Sequence, residues 1–287
     1  SQTFATAVGE TRSRVLAGAP PLGPHVLLGP GDDAAVLEGG WVLSTDLSVE
    51  DVHFRRSWIT DREIGYRATA AALSDLAAMA AEPMGILVSM AFPPGGRVDA
   101  EAVQGGIREA ATLVGAPVLG GDVSRSPGPL FLDVTVVGRA ESPVSRAGAQ
   151  PGDELWVTGA LGASAAAVRL WRAGKEPAPG LRAAFARPTP RIEAARALAR
   201  AGVLRALVDL SDGLAGDAGH LAAAGGVKVV LESARIPLGQ GVADALAPEG
   251  ALDAALRGGE DYELCFAAPS GAVDPATLGA AAGVGLT

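Results

Sequence analysis

The chain has 287 residues, long for one domain and comfortable for two. Hydrophobic residues make up 48% and charged residues 19%, which excludes a disordered chain; with aromatics at 4%, the core has to rest on Ala, Val and Leu. A formal net charge of -9 excludes a general binder of nucleic acid or anionic membrane, both of which need a basic face. It leaves room for a nucleotide site in which metal ions bridge acidic groups to phosphate.

Cys265 is the only cysteine, so no intramolecular disulfide forms, as in a reducing cytoplasm. The sequence shows no secretory leader and no apolar run of membrane-spanning length. A cytoplasmic protein without nucleic-acid or membrane partners is expected.

Along the chain, Trp41 to Thr45 reads as an apolar strand running into Asp46. Asp61 to Ala81 has helical spacing, with Ile64, Ala68, Ala71 and Met79 on one stripe and Pro83 as its stop. Gly85 to Phe92 reads as a buried strand and Ala100 to Val114 as an amphipathic helix. Pro117 to Leu119 and Leu130 to Gly138 read as two more strands. Ser142 to Asp153 is rich in Pro, Gly and small polar residues and is taken as a domain boundary, giving domains 1–141 and 142–287.

The second half restarts with strand Glu154 to Thr158 and a helix from Gly162 to about Arg172, then a loop at Pro177 to Gly180. Helix Arg191 to Ala201, strand Ala206 to Leu210 and helix Gly213 to Ala224 follow. Val227 to Leu231 and Tyr262 to Ala267 read as strands. The mixture predicts two domains of α/β and α+β class.

Six acidic segments stand out: Gly29 to Asp33, Ser44-Thr45-Asp46, Leu73-Ser74-Asp75, Gly120-Gly121-Asp122, Asp209 to Gly213 and Gly258 to Asp261. In most of them an apolar element delivers a carboxylate with Gly, Ser or Thr beside it. Glycine permits close backbone approach, and an oxygen-only ligand set suits a hard cation such as Mg2+. One such segment alone is more often a turn or helix cap; their joint occurrence reverses that balance. Asp75 falls on the apolar stripe of its helix, where an unpaired carboxylate is costly and needs a partner.

Phosphate binding has to work without a Gly-x-x-x-x-Gly-Lys-Ser/Thr loop, since Lys175 and Lys228 are the only lysines and neither sits in one. Metal ions, backbone N–H groups and arginines remain, and Arg146 in the hinge segment is a candidate clamp. His53, seven residues after Asp46, is a candidate substrate contact; Cys265 reads as a core residue.

Gly31-Asp-Asp33, Ser44-Thr-Asp46 with His53-Phe54, Leu73 to Met79, Gly120-Gly-Asp122, Ser145 to Gly148, Asp209 to Leu214 and Gly258 to Leu264 together resemble the thiamine-monophosphate kinase family, in its order and spacing. The resemblance runs from about Gly29 to Phe266. It implies the two-domain architecture of aminoimidazole ribonucleotide synthetase and its relatives, with the N-terminal sheet pairing across a homodimer. It also implies a metal-assisted transfer of the ATP γ-phosphoryl group to thiamine monophosphate, giving thiamine diphosphate and ADP.

Carried over, Asp32, Asp33, Ser44, Thr45, Asp46, Asp75, Asp122, Asp209 and Asp212 form the Mg2+ set. Gly121, Asp122, Arg146 and Ser211 become ATP contacts, and His53 and Glu260 substrate contacts. No general base is implied. Two departures from the family pattern stand out. Pro30 replaces an aliphatic residue, and the chain ends at Thr287 without the family's tail aromatic, so an incomplete vitamin end of the pocket is expected. The alternatives are another ATP-dependent synthetase of the same superfamily and a non-catalytic nucleotide- or metal-binding relative.

Overall fold

The computed structural model describes residues 22–95 and 98–287. A six-stranded sheet comes from the first half: β1 (Val26–Leu28), β2 (Ala35–Leu37), β3 (Trp41–Val49), β4 (Glu82–Phe92), β5 (Val118–Arg125) and β6 (Phe131–Arg139). Its spatial order is β1-β2-β3-β6-β4-β5. Helix α1 (Asp61–Ala78) connects β3 to β4, and α2 (Ala100–Leu113) connects β4 to β5. Only the β4–β5 pair is parallel, and α2 supplies the long crossover a parallel pair needs.

The second half builds a three-stranded sheet in the order β7-β9-β8, from β7 (Asp153–Val157), β8 (Ala206–Asp209) and β9 (Leu264–Pro269). Around it lie α3 (Ala163–Arg172), α4 (Pro179–Ala186), α5 (Ile192–Arg200), α6 (Leu214–Gly225), α7 (Val242–Arg257) and α8 (Pro275–Ala282). Helix α7 is broken at Ala247, just before Pro248, whose ring cannot continue a regular helix.

Helix α1 is the centre of the molecule. It packs on β3, β4 and β6 on one side and on α2, α4, α5 and β8 on others. An all-round burial of this kind needs small side chains, and Ala68, Ala70, Ala71, Ala72, Ala77 and Ala78 are all buried. Against α2 the two backbones touch: a Cβ on Gly106 would lie 1.8 Å from the Arg62 carbonyl oxygen, and one on Gly65 would lie 2.0 Å from that of Val103. Helix α1 starts with a capping box: Thr60 Oγ1 accepts the Glu63 N–H while Glu63 Oε2 accepts the Thr60 N–H. Arg182 of α4 grips the same Glu63 at 2.7 Å, and its hydrogen bonds foremost hold that carboxyl down at about 2.

Several expected boundaries move. Helix α1 stops before Pro83, because Ala80 takes a left-handed conformation (φ 52°). The N–H groups of Ala81 and Ala80 then bond back to Leu76 and Ala77, closing the helix end, and Pro83 lies inside β4. Strand β5 extends to Arg125, so Gly120, Gly121 and Asp122 lie within a strand rather than at its end. Val227 to Leu231 joins no ladder: Val227, Val229 and Leu231 pack on the β8–α6 side as irregular chain. Helix α4 starts at Pro179, inside the expected loop, because proline suits the first helical turn.

Candidate active site

A pocket of about 300 Å³ opens between the inner face of the six-stranded sheet and the start of α6. Ser44 and Asp46 reach it from alternate positions of β3, and Asp75 from α1. Asp32 and Asp33 come from the turn before β2, Asp209 from the end of β8, and Ser211 and Asp212 from the loop that follows. Thr45, His53, Arg146 and Glu260 also line it.

The carboxylates of Asp33, Asp75 and Asp209 bring oxygens within 4.8 Å of one another. Each is tied by a neighbour. Ser44 Oγ donates to Asp75 Oδ2 at 2.5 Å, and Ser74 Oγ donates to Asp209 Oδ2 at 2.7 Å. Arg146 grips Asp33 through Nε at 3.1 Å and through Nη2, while its backbone N–H donates to Asp32 Oδ2 at 3.0 Å.

Burial foremost, then the charges of Asp33 and Asp46, push Asp75 well above the usual carboxylate range against the bond from Ser44. Burial, then Asp33 and Asp75, does the same to Asp209. Asp33 is raised by burial despite Arg146, and Asp46 is raised by burial against the pull of His53 and Arg67. Three oxygen donors that repel one another in a desolvated pocket fit a hard divalent cation. A second group, Asp212, Asp217 and His220, lies beside the first. Burial and then the charge of Asp212 raise Asp217 to about 7, while its Oδ2 accepts the N–H groups of Asp212 and Gly213.

Gly121 and Asp122 are not among the pocket's lining residues. Strand β5 is three strands from β3, roughly 14 Å across the sheet. The register places Asp122 beside Ser89 and Asp133, on the outer face with Thr45, whose Oγ1 donates to Asp133 Oδ1 at 2.6 Å. Gly121 also has a packing reason to be glycine, since a Cβ there would meet the Val88 carbonyl oxygen at 1.8 Å.

Comparison with known proteins decides the lineage. Residues 31–140 match the family described as AIR synthase related protein, N-terminal domain, and residues 150–286 match its C-terminal domain. The thiamine-monophosphate kinase of Mycobacterium tuberculosis is 38% identical over 255 residues, 85% of this chain and 76% of that protein. The chain belongs to the thiamine-monophosphate kinase family. A crystal structure of the Stenotrophomonas maltophilia thiamine-monophosphate kinase superposes with a TM-score of 0.81 at 34% identity, covering 98% of this chain and 90% of that one. The structure of AaThiL complexed with AMPPCP and TMP gives 0.82 at 30% identity, covering 98% and 87%.

The pocket also holds side chains beyond the expected metal, nucleotide and substrate contacts. Arg67 and Tyr262 line it, and Ser74 and Asp217 support Asp209 and the Asp212 loop. Arg67 had a readable signal: it lies eight residues before Asp75 on the same helix, close to two turns and one face. Asp217 had none, since Gly-Asp within a helix reads as ordinary.

Proposed function

We propose that this pocket performs the family's reaction, Mg2+-dependent in-line transfer of the ATP γ-phosphoryl group to thiamine monophosphate. The observation that carries the reading is the convergence of Asp33, Asp75 and Asp209 from a turn, a helix and a strand end. A phosphate oxygen of thiamine monophosphate bonds to the γ-phosphorus as the bond to the β–γ bridging oxygen breaks, and that electron pair leaves on ADP. The nucleophile is already anionic near neutral pH, so positioning and charge compensation carry the catalysis.

Asp33, Asp75 and Asp209, with Asp32, Asp46, Asp212 and the hydroxyl of Ser44 around them, are the residues that would hold Mg2+; Thr45 turns its hydroxyl to Asp133 on the outer face instead. The ion, when bound, offsets the repulsion between the two phosphate chains. Arg146 neutralises Asp33 and Asp32 from the segment between the sheets, within reach of a nucleotide phosphate. His53 accepts the Val49 N–H at Nδ1 (3.0 Å), which leaves Nε2 of the neutral ring as a donor for substrate. Ser211 serves the nucleotide, and Glu260 faces the organic end of the substrate.

The same reading divides the chain near residue 142 and pairs two copies through the outer face of the six-stranded sheet, in the cytoplasm. Trp41, Leu47 and Leu87 are exposed on that face, a surface that a second copy would bury. Gly121, Asp122 and Thr45 then lie at the seam, where ATP and a metal ion can meet residues of both copies. Among the described residues no helix is long and apolar enough to cross a membrane.

The deciding experiment is ADP release from purified protein with Mg2+ and ATP, with and without thiamine monophosphate. Stimulation by thiamine monophosphate, with thiamine diphosphate formed in equal amount, is expected; its absence rejects the kinase reading. For the pairing, sedimentation should give twice the chain mass, and Leu87→Glu on the outer face should shift it toward one.

A further inference from the structure

We propose that Arg67 is the positioning residue that aims Glu260 at the organic end of the substrate. The assignment rests on the kinase reading above and extends it to a side chain outside the family's recognised motifs. Arg67 sits on α1 and is 4% exposed, an unusual burial for a permanent cation. Its guanidinium is fixed on every side. Nη1 donates to the Phe185 carbonyl oxygen, Nη2 is 2.8 Å from Glu260 Oε2, and the plane lies 3.8 Å from the centre of the Phe185 ring. The Tyr262 ring stands 5.8 Å away on the loop that carries Glu260.

That loop is held by its backbone as well. Glu260 and Tyr262 both adopt left-handed conformations (φ 61° and 52°), which a non-glycine residue keeps only when its surroundings impose it. The imposing contacts are the Glu260 N–H on the Ser211 carbonyl at 2.8 Å and the Tyr262 N–H on the Leu210 carbonyl at 2.9 Å. Backbone bonds thus fix where Glu260 starts, and Arg67 fixes where its carboxylate ends. One oxygen, Oε2, is engaged; among the described residues nothing bonds to Oε1, and the side chain remains 30% exposed at the pocket wall.

A carboxylate held at one oxygen by a rigid guanidinium fork presents the other in a fixed direction. The organic part of thiamine monophosphate carries a ring cation and an aromatic amine, and either finds a ready acceptor there. An unrestrained glutamate would lose rotamer freedom on binding, and Arg67 removes that loss in advance.

The test compares wild type, Arg67→Met, Arg67→Lys, Glu260→Gln and the double variant Arg67→Met with Glu260→Gln, by steady-state kinetics in both substrates. Arg67→Met should raise KM for thiamine monophosphate about tenfold or more while KM for ATP stays within about twofold. Arg67→Lys keeps the charge but loses the fork, and should fall between wild type and Arg67→Met. The double variant should be no worse in thiamine monophosphate than Glu260→Gln alone, because the two residues act as one unit.

Equal rises in both KM values, or additive losses in the double variant, overturn the assignment. If Arg67→Met does not fold, Arg67→Lys decides: an unchanged KM for thiamine monophosphate rejects the role. Wild-type protein without stimulated ADP release removes the kinase reading and this inference together, whereas an active wild type with indifferent Arg67 variants removes this inference alone.

Discussion

The two ends of the pocket handle charge in opposite ways. At one end Asp33, Asp75 and Asp209 crowd together, with only Arg146 gripping Asp33 and hydroxyls tying the other two. At the other end Glu260 meets Arg67 one to one. The first arrangement is electrostatically incomplete within the chain; the second is closed. A site that must accept a cation and polyanions has to keep its own charges uncompensated, whereas a site that must recognise a shape can settle its charges in advance.

Breaking the incomplete end should have the largest effect. Asp209→Asn should lower kcat by at least about a hundredfold at saturating Mg2+, since it removes a ligand for the charge-compensating ion. It should leave the melting temperature of metal-free protein unchanged or raised, because a buried repelling carboxylate is gone and the amide can still accept from Ser74. A collapse in thermal stability with normal turnover would reverse the assignment of this end.

Next comes pH. Burial raises Asp217 and Asp261 to about 7 from 3.8, and Asp33, Asp75 and Asp209 are raised as well. A raised carboxyl contributes stability that is complete below its unfolded value and lost as pH climbs through the folded one. The metal-free protein should therefore lose thermal stability as pH rises from about 4 through 7. Added Mg2+ should flatten the part due to the crowded carboxylates and spare the part due to Asp261, which caps the Gly162 N–H away from the cluster. A melting temperature flat over that range would break the contrast between the two ends.

Arg146→Met is the third probe. Removing the partner of a buried carboxylate costs about 3–5 kcal/mol, read by denaturant unfolding of the metal-free protein, and Mg2+ should restore part of it. The smallest effect concerns the scaffold that both ends share. Gly106→Ala forces a methyl group onto the Arg62 carbonyl and should cost about 1–3 kcal/mol, with both KM values unchanged in the protein that remains folded.

The acid end was legible in sequence because each carboxylate stands in or next to an apolar segment with Gly, Ser or Thr close by, although in the structure only Asp209 ends its element. Asp33, Asp46, Asp75 and Asp209 all follow that form, and the pocket gathers all four. Asp122 follows the same form, yet it lies in mid-strand on the outer face, since alternation along β5 and strand order decide facing and neither can be read from one segment. Val227 to Leu231 carries β-branched residues but finds no strand to pair with, a tertiary fact that propensity does not contain. Helix α7 hides behind Pro248, which reads as a breaker and does interrupt it. Arg67 escaped because a single arginine in an alanine-rich helix reads as a solvent-facing residue until the helix proves to be buried all round.

Helix α1 carries Arg67, Ser74 and Asp75 on one rigid rod, and its neighbours lock that rod on every side. The eight residues from Arg67 to Asp75 span about 12 Å along the axis. The helix is therefore a ruler: its rise sets how far apart Arg67 and Asp75 stand along the pocket. An inserted alanine between positions 67 and 74 would lengthen it by about 1.5 Å and turn one end by about 100° against the other. The spacing between the two ends of the pocket is thus set by backbone hydrogen bonds of a helix in the middle of the molecule.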